Sequence, residues 1–359
     1  MLSKLWKRQA PHMVGIDIGS HEVKAILLNK TSRGYKIVAS AAVPLKKGAV
    51  KDHDIRDLDA VVLALAKVKQ SLPKSVKYVA VAVSGSAVMT KVIFMDAALK
   101  EDEMEMQIEI EADNIIPYSL DDVSIDFEIL GTNIANPSKV DVLLSACRTE
   151  NIDARVDSID GVDLSVKVVD IEGYALGRSY QLIAEQLPEI NDNEVVAMID
   201  IGAEMTTFAV IENGETTFIR EQTFGSDYLT KAIVSHYFMS YEDAEKAKLE
   251  QTLPDTYELD VLIDYHKQLI QQIKRTLQIY CTSSGHLKVD FVVLSGGGAQ
   301  MEGVTDLIRR ELNLKVILAD PFNSGLYADL SIKSKLQPKI GQYMVACGLA
   351  LRSYSEWRI

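Results

Sequence analysis

A short apolar run, Val14-Gly15-Ile16-Asp17-Ile18, breaks at Gly19-Ser20 and resumes from Val23 to Leu28. Continuous apolar runs of this length, bounded by turn residues, predict buried strands. The Asp-x-Gly between them predicts a tight hairpin, with glycine supplying a positive φ. A third apolar run, Tyr35 to Val43, follows, and then a helical stretch. The same order returns with Ala197-Met198-Ile199-Asp200-Ile201-Gly202, then Thr207 to Ile211, then Glu215 to Thr223. The second Asp-x-Gly lies 183 positions after the first (200 − 17), about half of a 359-residue chain. An internal duplication of a β-β-β-α unit is the expectation.

Between the two openings the pattern changes. Strands are expected at Lys77 to Ser84 and Val88 to Met95, joined around Gly85, and again near 123–130 and 139–147. From Glu101 to Ile116 methionine and isoleucine alternate with carboxylates. Met104, Ile108, Ala112 and Ile115 also mark one helical face, and glutamate is poor in strands. The segment is expected to be a helix stopped by Pro117, its carboxylates in solvent. The longest helix is expected over about Glu258 to Thr282, with Leu262, Tyr265, Leu269, Ile273, Leu277 and Tyr280 as one buried stripe. A last strand, Phe291 to Leu294, runs into Ser295-Gly296-Gly297-Gly298, and a final helix spans about Lys339 to Ser353. The expected division is a leader (1–13), a first half (14–83 and 166–187), an inserted subdomain (84–165), a second half (188–353) and a tail (354–359).

Composition is that of an ordinary globular chain: 47% apolar, 25% charged. The net charge of −13, with no basic run, argues against a nucleic-acid partner. Three cysteines, Cys147, Cys281 and Cys347, stand far apart without a C-x-x-C pair, which fits neither a disulfide framework nor a zinc site. No stretch approaches the ~18 apolar residues of a membrane span. The basic opening Met1-Leu2-Ser3-Lys4-Leu5-Trp6-Lys7-Arg8 lacks the apolar core of a secretory signal. It reads as a solvated leader, with a weak membrane-surface contact through Trp6 as the other reading.

No Walker-type phosphate loop and no strand-G-x-G-x-x-G-helix unit occurs. A glycine hairpin turn nevertheless exposes backbone N–H groups that attract anions, and two such turns can grip a polyphosphate from opposite sides. Asp17 and Asp200 would then face phosphate through a hydrated Mg²⁺, with Lys24 adding positive charge. The triple glycine after Val293-Leu294 is expected to admit a ligand to the backbone and open a helix N-terminus. Glu245 and Lys248, three apart on one helix, read alone as a surface ion pair.

Together these segments resemble the actin / Hsp70 / sugar-kinase nucleotide-binding fold. The fold class is therefore expected to be α/β, a duplicated actin-like (ribonuclease H-like) ATPase fold. By that resemblance Asp17-Ile18-Gly19-Ser20 with Lys24 is the first phosphate loop and Asp200-Ile201-Gly202 the second. Leu294 to Gly298 is the adenosine motif, with Met301 just beyond it. Val168 to Glu172 and Ile340 to Met344 are the connecting segments. Glu245 and Lys248 face the ribose, and Gly225 turns against the adenosine. The implied cofactor is ATP with Mg²⁺, the metal held through water by Asp17 and Asp200. These two are also the candidates for any catalytic role.

Within that fold the chain is similar to the FtsA and PilM families, which carry an extra α/β subdomain in the first half. Ile115-Ile116-Pro117-Tyr118-Ser119-Leu120-Asp121-Asp122-Val123, followed by Asp126, and the Met1–Lys7 opening resemble the PilM family of type IV pilus assembly proteins. The resemblance implies a cytoplasmic protein, peripheral to the inner membrane. It implies recruitment by the N-terminal cytoplasmic peptide of PilN, in a groove between residues 84–165 and the surroundings of 14–83. The pilus assembly or retraction ATPases and a second copy of the chain are further candidate partners. FtsA-type chains end in an amphipathic membrane helix, whereas here Arg358-Ile359 follow soon after the last core helix, so attachment through a partner is expected. The second loop also departs from the common Gly-Gly-Thr: Ala203-Glu204-Met205 precede Thr206-Thr207. A glutamate beside the γ-phosphate favours slow or no hydrolysis unless it turns away. The alternatives are a filament-forming cell-division or cytoskeletal protein and a small-molecule kinase. The kinase needs an acceptor base, for which only Asp200 offers itself.

Overall fold

The computed structural model describes residues 12–32, 34–184, 187, 194–321 and 336–355. The Met1–Lys7 motif and residues 356–359 lie outside the described residues. In the first half β1 (Met13–Ile18), β2 (Glu22–Thr31) and β3 (Gly34–Pro44) form an antiparallel ladder. A small hairpin of β4 (Val50–Lys51) and β5 (Asp54–Ile55) precedes α1 (Leu58–Gln70), which leads to β6 (Tyr78–Val83), parallel to β1. Then come β7 (Val88–Asp96), α2 (Glu101–Ile115), β8 (Val123–Thr132), β9 (Lys139–Arg148) and α3 (Thr149–Asp160). The sheet is completed by β10 (Ser165–Ile171), parallel to β6, and α4 (Glu172–Ser179) follows.

The second half repeats the plan with β11 (Val196–Ile201), β12 (Thr206–Glu212), β13 (Glu215–Gln222), α5 (Ser226–Tyr237), α6 (Tyr241–Glu250) and α7 (Ile263–Ser284). It ends in β14 (Phe291–Ser295), α8 (Val304–Leu312) and β15 (Lys315–Leu318), with α9 (Met344–Ala350) beyond. The two five-stranded sheets run β3-β2-β1-β6-β10 and β13-β12-β11-β14-β15. Each is three antiparallel strands extended by two parallel ones, so the duplication goes further than the three-strand openings. Phe291–Leu294 is therefore not the last strand. Four-residue β15 is too short to leave a readable period, whereas nine-residue α8 carries one, with Val304 and Ile308 buried on one face.

The insertion is narrower than the expected 84–165. Its own sheet, β7-β9-β8, and α2 close a separate core through Ile93, Met95, Met104, Ile108, Ala112, Val142 and Leu144. By contrast α3 packs on α1, and its Ile159 joins the first half's core with Val14, Ile16, Leu65 and Val79. It occupies the crossover position between parallel strands β6 and β10, so the inserted unit is β7 through β9. α2 carries Met104, Ile108 and Ala112 inward, as its helical period predicts, and Ile115 is half-buried.

α7 buries Tyr265, Leu269, Ile273, Leu277 and Tyr280 against the second sheet. It starts at Ile263, after a π-type turn over 258–262. The expected final helix is α-helical only over Met344–Ala350, with 3₁₀ turns on both sides. α4 and α9, which continue the two expected connecting segments, cross at the waist. A Cβ on Gly348 would lie 1.7 Å from the Ala175 carbonyl, so the close crossing requires glycine there. One further core, with Met13, Ala82, Ala175, Met198, Val293 and Leu349, joins both sheets to these helices.

Candidate functional site

The two Asp-x-Gly hairpins adopt the same turn. Gly19 N–H donates to Glu22 O at 3.1 Å and Gly202 N–H to Met205 O at 2.9 Å. Neither glycine has positive φ, contrary to expectation. Close approach disfavours a side chain instead: a Cβ on Gly202 would lie 2.8 Å from Met205 O, too near to fit, and one on Gly19 would crowd Glu22 O at 3.2 Å. The carboxylates before them are partnered differently. Asp17 pairs across β1-β2 with Lys24, whose Nζ donates to Asp17 Oδ2 at 2.7 Å. Asp200 pairs with Thr207 at the equivalent place, and Ser295 Oγ from neighbouring β14 donates to its Oδ2 at 2.7 Å.

Burial opposes the Lys24 charge, but Asp17, with Asp200 and Glu22 further off, outweighs it and holds the ammonium above the ordinary lysine range. Burial pushes the Asp200 carboxyl up to about 6; the Ser295 hydroxyl and Lys24 oppose that rise, while Asp17 and Glu172 add to it. One lysine thus serves two carboxylates. That under-compensation fits a cation between the loops. Among the described residues no group of three or more His, Cys, Asp or Glu forms a direct metal site, so a metal held through water suits the donor set better. Ser20 is half-buried on the first turn.

The second loop is braced from behind. Gly225 caps α5, Ser226 N–H donates to Gly202 O at 3.0 Å, and Asp227 N–H donates to Ala203 O at 2.8 Å. A Cβ on Gly225 would lie 2.3 Å from Ala203 O, so this glycine is needed for loop packing. The triple glycine divides similarly. Gly296, at φ +85°, and Gly298 press on Ile201, each with a virtual Cβ 2.4 Å from it, and both are buried. Gly297 is exposed and remains the open position. The motif leads into a 3₁₀ turn at 298–300, and α8 starts only at Val304, which corrects the expected helix N-terminus. Met301 is half-buried against the second half's core. Glu245 and Lys248 of α6 form an ion pair at 2.7 Å, and both bond the Thr230 hydroxyl of α5, at 2.7 and 2.6 Å.

Several contacts cross the cleft between the halves. Glu204 turns toward the first half and accepts the Asp52 N–H at 3.1 Å. His21 of the first turn lies 3.2 Å from Asp227, to which the Tyr241 hydroxyl donates, and Lys47 Nζ sits 3.0 Å over the Tyr241 ring. Burial raises the Asp227 carboxyl, but His21 and Tyr241 overcome it and hold it down at about 2.

A cavity of about 600 Å³ opens between the inserted unit and the first half. Its walls are the turn 52–54, Ser84 and Ser86, the start of β7, Ile116 to Tyr118, the end of β9 and α3. Ile116, Pro117, Tyr118 and Val123 belong to the motif singled out in the sequence. Arg155 and His53 were not legible there. Arg155 is 3% exposed and donates to the carbonyls of Ala82, Asn151 and His53. His53 Nδ1 lies 3.3 Å from Glu172, and its buried Nε2 has no hydrogen-bond partner among the described residues. Burial lowers the imidazole, but Glu172 outweighs it and lifts the group to about 9. Long sequence separations hid both residues.

Two duplicated sheets, a helix crossing at the waist and paired glycine hairpins across a cleft define an actin-like ATPase fold. The comparisons agree. The solved PilM-PilN type IV pilus biogenesis complex is similar at TM-score 0.80 and 22% identity, over 96% of this chain and 99% of that one. The ethanolamine utilization protein EutJ from Carboxydothermus hydrogenoformans is similar at TM-score 0.56 and 15% identity, over 97% and 92% of the two chains. Cell division protein FtsA of Bacillus subtilis (strain 168) is 23% identical in an alignment of 359 positions that covers 87% of this chain and 79% of FtsA. The family model for type IV pilus assembly protein PilM matches residues 15–354. The chain belongs to the PilM family of type IV pilus assembly proteins.

Proposed function

We propose that the chain binds Mg-ATP between its two hairpin loops and is recruited to the inner membrane by the N-terminal cytoplasmic peptide of PilN. The observation that carries the nucleotide half is the repeated turn, with one lysine facing two carboxylates. Asp17 and Asp200 would hold hydrated Mg²⁺, which supplies the charge that lets two carboxylates face a polyphosphate. In the same reading Gly19, Ser20, Lys24 and Gly202 meet phosphate. Glu245 and Lys248 meet ribose, and Gly225, Gly297 and Met301 border the base, with Gly296 and Gly298 holding the motif's shape. Glu204 accepts a backbone N–H from the other half, which supports a carboxylate turned away from the phosphates.

The peptide half rests on the cavity. Its walls combine apolar Val88, Met89 and Ile116 with backbone and polar groups, the mixture a short extended peptide needs. The relative in the solved complex is assembled with PilN, which supports the choice of partner. No described helix is long and apolar enough to cross a membrane. Calorimetric titration of Mg-ATP and of the PilN peptide into the native chain tests both halves. Saturable binding of each is expected; no binding of either at millimolar concentration contradicts the corresponding half.

A further inference from the structure

Two carboxylates of the second half hold walls of the cavity that belong to the first. Glu221 of β13 receives Gly85 N–H at 2.7 Å, Ser86 N–H at 3.0 Å and the Ser84 hydroxyl. It thereby holds the N-terminal end of the 3₁₀ turn at 85–87, between β6 and β7, beside the cap residue Ser84. Glu204 of the second loop receives the Asp52 N–H. Asp52, Ser84 and Ser86 all line the cavity.

Glu221 also stands in register with the nucleotide site. It pairs with Thr207 on β12, Thr207 with Asp200 on β11, and Asp200 with Ser295 on β14. Directly paired residues in neighbouring strands share a face. One transverse row therefore runs from the cavity wall, through the second loop's carboxylate, to the residue that opens the glycine motif. Ser84 is 1% exposed, and a carboxylate on two N–H groups and a hydroxyl fixes its partners firmly. A shift of the second half against the first would move Glu204 and Glu221 together, and the cavity walls bonded to them.

We infer that Glu221 and Glu204 are positioning residues that couple nucleotide occupancy of the cleft to peptide affinity in the cavity, with Mg-ATP tightening the peptide. This inference rests on the two binding reactions proposed above. Energetic coupling is reciprocal, so the peptide must tighten Mg-ATP by the same factor.

The test measures the affinity of the PilN peptide with and without Mg-ATP for the native chain, Glu221→Ala, Glu204→Ala and the milder Glu221→Gln. The native chain is expected to bind the peptide roughly 5–150-fold more tightly with Mg-ATP. That ratio is expected to fall to near one in Glu221→Ala, and to intermediate values in Glu204→Ala and Glu221→Gln. A peptide-free readout is hydrogen exchange at the Gly85 and Ser86 amides, slowed by Mg-ATP in the native chain and insensitive to it in Glu221→Ala. Unchanged ratios in the variants, or no ratio in a native chain that binds both ligands, overturn the inference alone. A native chain that does not bind the peptide overturns the partner reading and this inference with it.

Discussion

Lys24 Nζ donates to Asp17 Oδ2 at 2.7 Å directly across the first hairpin, while the equivalent place in the second hairpin holds Thr207. The duplicated loops are therefore electrostatically unequal, with the cation on one side only. Lys24→Ala is expected to weaken Mg-ATP by about 1.5–3 kcal/mol, the range for a hydrogen bond to a charged group. Adenosine affinity stays as it was, which calorimetry with both ligands checks.

Glu245 belongs to α6 of the second half, whereas Lys24 belongs to β2 of the first. Its carboxylate bonds Thr230 of α5 and Lys248 of α6. Glu245→Ala is expected to weaken adenosine and ATP by the same factor. A variant that loses ATP but keeps adenosine shows that the ribose assignment is mistaken.

Asp200 is expected to make Mg-ATP binding pH-dependent. Burial lifts its folded pKa to about 6 from 3.8, so the folded protein holds a proton there that the unfolded chain releases. In the ligand-free protein this carboxyl contributes stability at acid pH that is lost as pH rises through about 6. Holding a cation needs the ionised form, so Mg-ATP affinity is expected to run the other way and to fall as pH drops through the same value. Titrations at pH 5 and pH 7.5 check this; an identical affinity at both contradicts Asp200 as a metal-facing group.

His53 sets a second window. With Glu172 beside it, its folded pKa rises to about 9 from 6.5. The pair contributes stability fully present below about pH 6.5 and lost as pH rises through about 9. His53→Gln is expected to flatten the melting-temperature profile between those values. An unchanged slope removes the pair from the account of alkaline stability.

The duplicated openings were legible because buried strands write continuous apolar runs and Asp-x-Gly punctuates them twice. The burial stripe of α7 and the inward face of α2 followed from helical period. What stayed hidden depended on distant packing. Nothing in the pattern around Ile159 says that α3 closes on α1 rather than on the inserted sheet. β15 has only Val316 fully buried, too little for a period. Among the site residues, the triple glycine predicts an opening for a ligand at Gly296 and Gly298, yet Ile201, 95 positions before Gly296 (296 − 201), fills the space beside both. Glu221 carries no local signal, since its partners lie at Ser84 to Ser86.

Photo-crosslinking distinguishes a PilN peptide seated in the cavity beside the inserted unit from one bound elsewhere on the protein. A benzophenone amino acid is placed at Tyr118, which lines the cavity, and separately at Phe94, 57% exposed between inward-facing Ile93 and Met95 on the outer face of β7. Irradiation with the PilN N-terminal peptide is expected to crosslink it to position 118 and not to position 94. Crosslinking at 94 without crosslinking at 118 contradicts the claim.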